Sequence, residues 1–411
     1  MFIASTRARR TAGLTVWMLA ASTLAWAQAG PTGELPDEAP TEVQYRLGPV
    51  ILNPNIELPA IGVDTNVFDD PEDPKQDWMA SLQPDIVAFV QPGLFTVAIK
   101  SGSTFTYYHK YHSERSISQD LRGKVSIRLS RFRPWIGGAT VQAADRPSPE
   151  IDARARRTER EASAGVSFAL TPIADVVAYA SRIDTRFDAG ETYQDVDLVQ
   201  ALDRRNETAS IGLRMRLTPF TTVHVRGEVA RDRFLHQPSR DGRTTNGEVQ
   251  LSFSPEAIIR GDATVGWESY EPERSDVGRF RGVHGRVGLT AVGYWRGVFQ
   301  VNATRGVQYS YLESDDYYLE TGVDMTYTQR IGGPFDVQVR GARTWLSYDV
   351  SQPGGRVDGL NSYQAGIGFN LQNNSRIGFN YEYTERQSDV RADRRYARRR
   401  FFGSYSYEFW K

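Results

Sequence analysis

The chain has 411 residues, a formal net charge of −1 and no cysteine, with 24% of its residues charged and 11% aromatic. Absence of cysteine excludes disulfide, thiolate-metal and cysteine-nucleophile chemistry, and a near-neutral balance lacks the basic field of a nucleic-acid binder. Mean hydropathy is −0.48, a value compatible with membrane residence only if each crossing segment is apolar on one face.

The one continuous apolar stretch opens the chain. Arg7, Arg9 and Arg10 precede an apolar run from Ala12 to Trp26, and Ala25-Trp26-Ala27 before Gln28 has the small-x-small form of a cleavage site. This predicts a secretory signal peptide over residues 1–27, cut after Ala27 and too short to span a bilayer as a helix. Residues 28–54 follow as a periplasmic N-terminal segment, since Gln28 to Val43 is rich in Pro, Gly, Glu and Asp. A transmembrane β-barrel is expected over residues 55–411.

From there one pattern repeats: strand, tight turn, strand, long polar loop. Tight turns are anchored at Pro92, Pro134, Pro172, Pro219, Pro255, Gly293, Pro334 and Asn373, spaced 36 to 47 residues apart. Proline removes a ladder donor and glycine accepts positive φ, so both punctuate strands. Long charged stretches fall between them, at residues 68–77, 111–117, 146–159, 187–204, 236–246, 271–278, 312–316, 351–361 and 386–396. Nine loops and eight turns give eighteen antiparallel strands, with sixteen the alternative, in an all-β up-and-down order. Turns and both termini then lie in the periplasm and the loops outside the cell. Propeller blades have a similar period, but would not sort connections into a short set and a long set.

Strands alternate strictly. Ala209, Ile211, Leu213, Met215 and Leu217 interleave with Ser210, Gly212, Arg214, Arg216 and Thr218, and Ile377, Phe379, Tyr381 and Tyr383 with Gly378, Asn380, Glu382 and Thr384. Each strand therefore has one apolar and one polar face. A soluble sandwich has the same period, so aromatic placement decides. Tyr107, Tyr108, Trp135, Trp267, Tyr294, Trp295, Tyr309, Tyr311 and Trp345 fall near strand ends, as interfacial girdles require. The reading is a bacterial outer-membrane barrel in contact with outer-membrane lipid and lipopolysaccharide. In the last strand Phe401, Gly403, Tyr405, Tyr407 and Phe409 share a face, a pattern that resembles the C-terminal signal read by the barrel-assembly machinery.

Eighteen strands enclose a lumen too wide for side chains to fill. Arg214 and Arg216 on one strand and His224 and Arg226 on the next face inward together, which makes them the candidate substrate strip; Arg128, Asp262, Glu268, Arg286 and Arg340 are further lumen charges. Two readings stand side by side. Either the wall is a set of mutually paired charges that keeps the lumen wet, or it is a transverse field guiding an anionic or hydroxylated solute. The N-terminal segment is too short for a folded plug, and Asp188 to Leu202 is the longest loop able to fold inward.

No GxSxG, HExxH, P-loop or dinucleotide fingerprint occurs, so neither an enzyme nor a cofactor is expected. His109 and His112 read as a solvated loop pair rather than a metal site. His284 has Asp262 as its nearest candidate partner. The acidic run Asp69, Asp70, Glu72 and Asp73 reads as a solvated loop before it reads as a cation site.

The run from Tyr45 to Asp70 carries Gly48, Pro49, Gly62, Asp64, Asn66, Val67 and Phe68, with Val63 where an aromatic is common. It resembles the opening of the second β-barrel porin family, outer-membrane barrels associated with exopolysaccharide biosynthesis, and the turn layout extends the likeness to the C-terminus. The resemblance implies passage of a secreted or capsular polysaccharide across the outer membrane, beside a periplasmic polysaccharide-export protein. The alternatives are a general or solute-selective diffusion porin and a structural or adhesive surface barrel.

Overall fold

The computed structural model describes residues 35, 45–293, 297–312, 315–348, 355–371 and 375–408. The expected signal peptide, Tyr294, Trp295, Asn373 and Phe409 lie outside the described residues. Eighteen strands run in chain order: β1 Val50–Asp64, β2 Asp77–Val90, β3 Phe95–Tyr108, β4 Ser116–Ile127, β5 Phe132–Asp145 and β6 Ala155–Thr171. Then come β7 Ala174–Phe187, β8 Arg204–Thr218, β9 Thr221–Phe234, β10 Gly242–Phe253, β11 Ile259–Pro272 and β12 Phe280–Val292. The last six are β13 Val298–Tyr309, β14 Tyr317–Gly332, β15 Phe335–Ser347, β16 Val357–Asn370, β17 Ser375–Ser388 and β18 Tyr396–Glu408. Each pairs antiparallel with its sequence neighbour, and β1 pairs with β18 from Asn55↔Glu408 to Asp64↔Arg400. The sheet therefore closes on itself and leaves no edge.

The barrel starts at Val50, ahead of the expected residue 55. A short strand, Tyr45–Leu47, folds back on Val50–Leu52, where the β18 ladder has ended. Leu35 sits inside the periplasmic end, packed against Ile51, Phe89 and Ala98, with its carbonyl accepting from Lys124 Nζ at 2.9 Å.

The burial pattern is inside-out. Phe379, Ile211 and Ile367 are 73%, 63% and 57% exposed, whereas Asp324 and Glu248 are 4% and 8% exposed. Water-filled space cannot explain so many exposed aliphatics; lipid tails can, and outward apolar alternating with inward polar is the mark of an outer-membrane barrel. Among the described residues no helix is long and apolar enough to cross a membrane, so the strands do the crossing.

Two expectations need correcting. Pro134 lies within β5, not in a turn; the chain reverses at Leu129–Phe132, with Ser130 at φ +41°. The β4–β5 ladder ends at Ser126↔Trp135, so the missing N–H of Pro134 lies beyond its last rung. The girdle is also smaller than expected. Trp267 and Tyr107 face outward, but Tyr108, Trp135 and Tyr311 are buried at 1%, 9% and 1% exposure. Trp135 stacks under Lys124, and Tyr309 packs on Phe234 and Tyr270. A strand-end aromatic has two faces to choose from, and spacing does not say which.

Candidate functional site: the lumen and the loops over it

The sequence-predicted strip is built by β8 and β9. Their register sets Arg214 opposite His224, and Arg216 opposite Thr222. Arg214 is bonded to Asp175 on β7 at 3.0 Å, and Arg226 pairs with Glu248 on β10. His224 lies between the two arginines, and its Nε2 is buried with no hydrogen-bond partner among the described residues. Arg216 is exposed near the periplasmic end of β8. Of these four, Arg226 lines the main lumen cavity.

That cavity, about 530 Å³, is bounded by the inner faces of β7 to β14 and is lined by Glu228, Glu268, His284, Arg286, Asn302 and Asp324 among others. Asp262 borders it too. His284 stands 3.7 Å from Glu248 and 3.9 Å from Glu268, while Asp262 is registered with Gly288. The acids beside this histidine are therefore not the one expected. Arg128 lies just past β4 in the periplasmic turn, where its N–H donates to Leu94.

A second stretch of the wall, β14 to β18 with β1, is closed by ion pairs. Arg340 Nε donates to Asp324 at 2.6 Å, and Arg376 bonds both oxygens of Asp336. Arg400 Nε donates to Glu382 at 3.1 Å, and Arg398 Nε to Asp64 at 3.0 Å. All eight side chains are nearly fully buried. Arg376 reaches Asp336 across β16 because Gly368 has no side chain; a Cβ there would collide with its guanidinium.

Above both walls, loops meet over the lumen. The expected loop does turn inward: helix α1, Leu198–Leu202, is capped by Asp197 and buries Leu198, Ala201 and Leu202. These sit at i, i+3 and i+4, one face of a helical turn. It packs there with Ile151 from the loop before β6, Ala155 at the start of β6 and Tyr311 from the loop before β14. Glu150 accepts from Ser310 Oγ at 2.8 Å and from Tyr311 N–H at 3.1 Å. Arg386, on β17, donates to Pro149 O at 3.1 Å and to Asp152 at 2.9 Å. Arg394 bonds Glu150 O and Tyr193, and Arg240 donates to Ala201 O at 2.8 Å and Ser310 O at 2.6 Å. Glu150 and Ser310 belong to loops eight strands apart, nearly opposite in the closed barrel, and Glu150 and Arg394 to loops six strands apart.

This latch is electrostatically costly. Burial pushes the Glu150 carboxyl above its ordinary range, although Ser310, Tyr311 and Tyr348 hydrogen bonds oppose it. Burial likewise raises Asp316 and lowers its partner Arg240, 3.4 Å away. Of the acidic run, Asp69 is buried against Arg146 at 2.7 Å, and Asp70 caps the N–H groups of Glu72 and Asp73.

Over residues 41–403 the chain matches the model of the family described as "Putative beta-barrel porin 2". No curated protein matches the sequence. Among solved structures it is similar to the outer membrane protein OpdK from Pseudomonas aeruginosa, at 11% identity and a TM-score of 0.47, over 86% of this chain and 98% of that one. A BenF-like porin from Pseudomonas fluorescens Pf-5 aligns at 12% identity and a TM-score of 0.47, over 87% and 98%. OccAB3 from Acinetobacter baumannii aligns at 11% identity and 0.46, over 87% and 99%.

Proposed function

The chain belongs to the beta-barrel porin 2 family, and from that premise we propose that it is a gated outer-membrane channel through which a hydroxyl-rich polysaccharide leaves the cell. One observation carries the gating: loops from opposite sides of the barrel are latched over the lumen by Glu150, Arg240, Arg386 and Arg394. An eighteen-strand lumen left open leaks small solutes, so an export barrel must close when idle, whereas a diffusion porin needs a clear mouth. The polymer path follows the open wall, past Arg214, Arg216, His224 and Arg226 and then the cavity. Guanidinium groups bind carboxylate or sulfate in a bidentate manner, and several weak contacts in series let a chain slide without being trapped. The proposed partner is a periplasmic polysaccharide-export protein that delivers the chain to the turn side.

A second reading is a solute-selective diffusion channel. The lumen cavity favours it, since about 530 Å³ is the size range of a small-molecule site. Deleting the gene, or replacing Arg214, Arg216 and Arg226 together by Gln, separates the two. Export predicts less surface polysaccharide from a barrel that still folds, by its heat-modifiability on a gel. Unchanged polysaccharide with slower entry of a sugar acid supports the diffusion channel instead.

A further inference from the structure

The outward face carries a second pattern. On β7 to β12 the apolar band stops short of the extracellular ends, and the last outward positions are charged. Above Ala180, Ala209 and Val229 stand Arg182, Glu207 and Arg231, and one outward position higher Asp184, Arg205 and Arg233. Arg243 and Arg281 continue this band on β10 and β12. Outward positions at the same end of β2 to β5 are Leu82, Phe105, Tyr107, Ile117, Gln119 and Gln142, with no charge.

The band carries more cations than acids: Arg182 and Arg205 share Asp184, Arg231 pairs with Glu273 at 3.0 Å and Arg233 with Glu207 at 3.7 Å, while Arg243 stands opposite Arg231. Arg205 pairs with Asp184 at 2.9 Å, but its cross-strand partner on the other side is Arg233. Arg231 faces Glu207 on one side and Arg243 on the other. Like charges directly opposite in a sheet destabilise it, and two such pairs lie within three adjacent strands. Arg231, Arg233 and Arg281 keep 49%, 44% and 61% of their side-chain surface exposed. An arginine on the lipid side belongs at headgroup level, where a phosphate between facing guanidiniums turns repulsion into charge-assisted hydrogen bonds.

We propose that this rim, centred on Arg182, Arg205, Arg231 and Arg233, is a docking site for a phosphorylated glycolipid of the outer leaflet. Its phosphates lie among the arginines, and its acyl chains run down the apolar band through Val229, Ile211 and Val225. The lipid is bound on this side of the barrel, because at that end of β3 and β4 Arg115 stands stacked on Tyr107, with no facing arginine pair among the described residues. It orients the barrel in the membrane independently of what passes through the lumen.

The test uses the full-length barrel in detergent, with bisphosphorylated lipid A as the probe. Two comparators are needed: the same lipid stripped of phosphate, and inorganic pyrophosphate. Binding by native mass spectrometry or thermophoresis should be weakened at least about tenfold by Arg182→Gln, Arg205→Gln, Arg231→Gln and Arg233→Gln together. Lysine at the same four positions should restore part of it. The phosphate-free lipid should bind weakly, and equally to wild type and variant. Equal wild-type affinity for both lipids overturns the proposal, and this arm needs no variant to fold. Pyrophosphate binding as tightly as the lipid also overturns it, because the site would then serve a free anion.

Discussion

Two stretches of the lumen wall use the same residue types to opposite ends. From β14 through β18 to β1, each of four arginines is buried against its own acid, at Asp324, Asp336, Glu382 and Asp64. From β7 to β13 the charges share partners loosely: Glu248 serves both Arg226 and His284, and Arg214 and Asp175 remain 37% and 31% exposed. Two oppositely charged side chains in register are therefore not by themselves a binding strip. What separates a brace from a path is whether water still reaches the pair.

The largest effect is expected on the closed stretch. Arg376→Ala leaves Asp336 buried without its cation and should cost about 3–5 kcal/mol, read as a lower unfolding temperature of the heat-modifiable form. Removing both charges with Asp336→Asn in the same protein should recover much of that loss. If Arg376→Ala is silent, the closed stretch is not a brace.

Next comes the open stretch, where one strand offers both faces. Leu213→Arg places a cation towards lipid and should cost roughly 2–4 kcal/mol if it lies near the midplane, impairing assembly. Arg214→Leu should assemble and change conductance. The reverse result would mean that β8 is turned over.

A smaller effect is expected with pH. The Glu150 carboxyl has its pKa raised by burial in the latched loops. A raised acid binds more protons in the closed arrangement than in the open one. Its support is thus complete below the ordinary glutamate range and is lost as pH rises through the elevated value. Opening should increase with pH, and Glu150→Gln should flatten the dependence. A slope unchanged in Glu150→Gln would remove this residue from the latch. The smallest effect is on selectivity: in the unlatched Arg386→Gln/Arg394→Gln barrel, Arg226→Gln with Arg286→Gln should shift the reversal potential towards cations. No shift would take the cavity off the conduction path.

Much of this is legible in the sequence. Proline and glycine mark the turns because ladder hydrogen bonds and φ leave no alternative, and period-two alternation assigns Arg214, His224 and Arg226 to one face. Pro134 misled because a proline past the last rung of a ladder costs nothing. The loop latch was only half visible. Leu198, Ala201 and Leu202 form a helical apolar face, but Glu150 meeting Ser310 joins residues 160 positions apart, and no local pattern encodes that. The outward arginines are not legible in the sequence because charges at strand ends read as the start of a loop.

The central claim is that the barrel is closed by its loops until something opens it. Single-channel recording of the purified protein in a planar bilayer tests this most directly, with Arg386→Gln/Arg394→Gln as the unlatched variant. The wild-type barrel should be silent or open only briefly, and the variant should conduct steadily. A wild-type barrel that conducts steadily alone, at the level of the variant, would contradict the account.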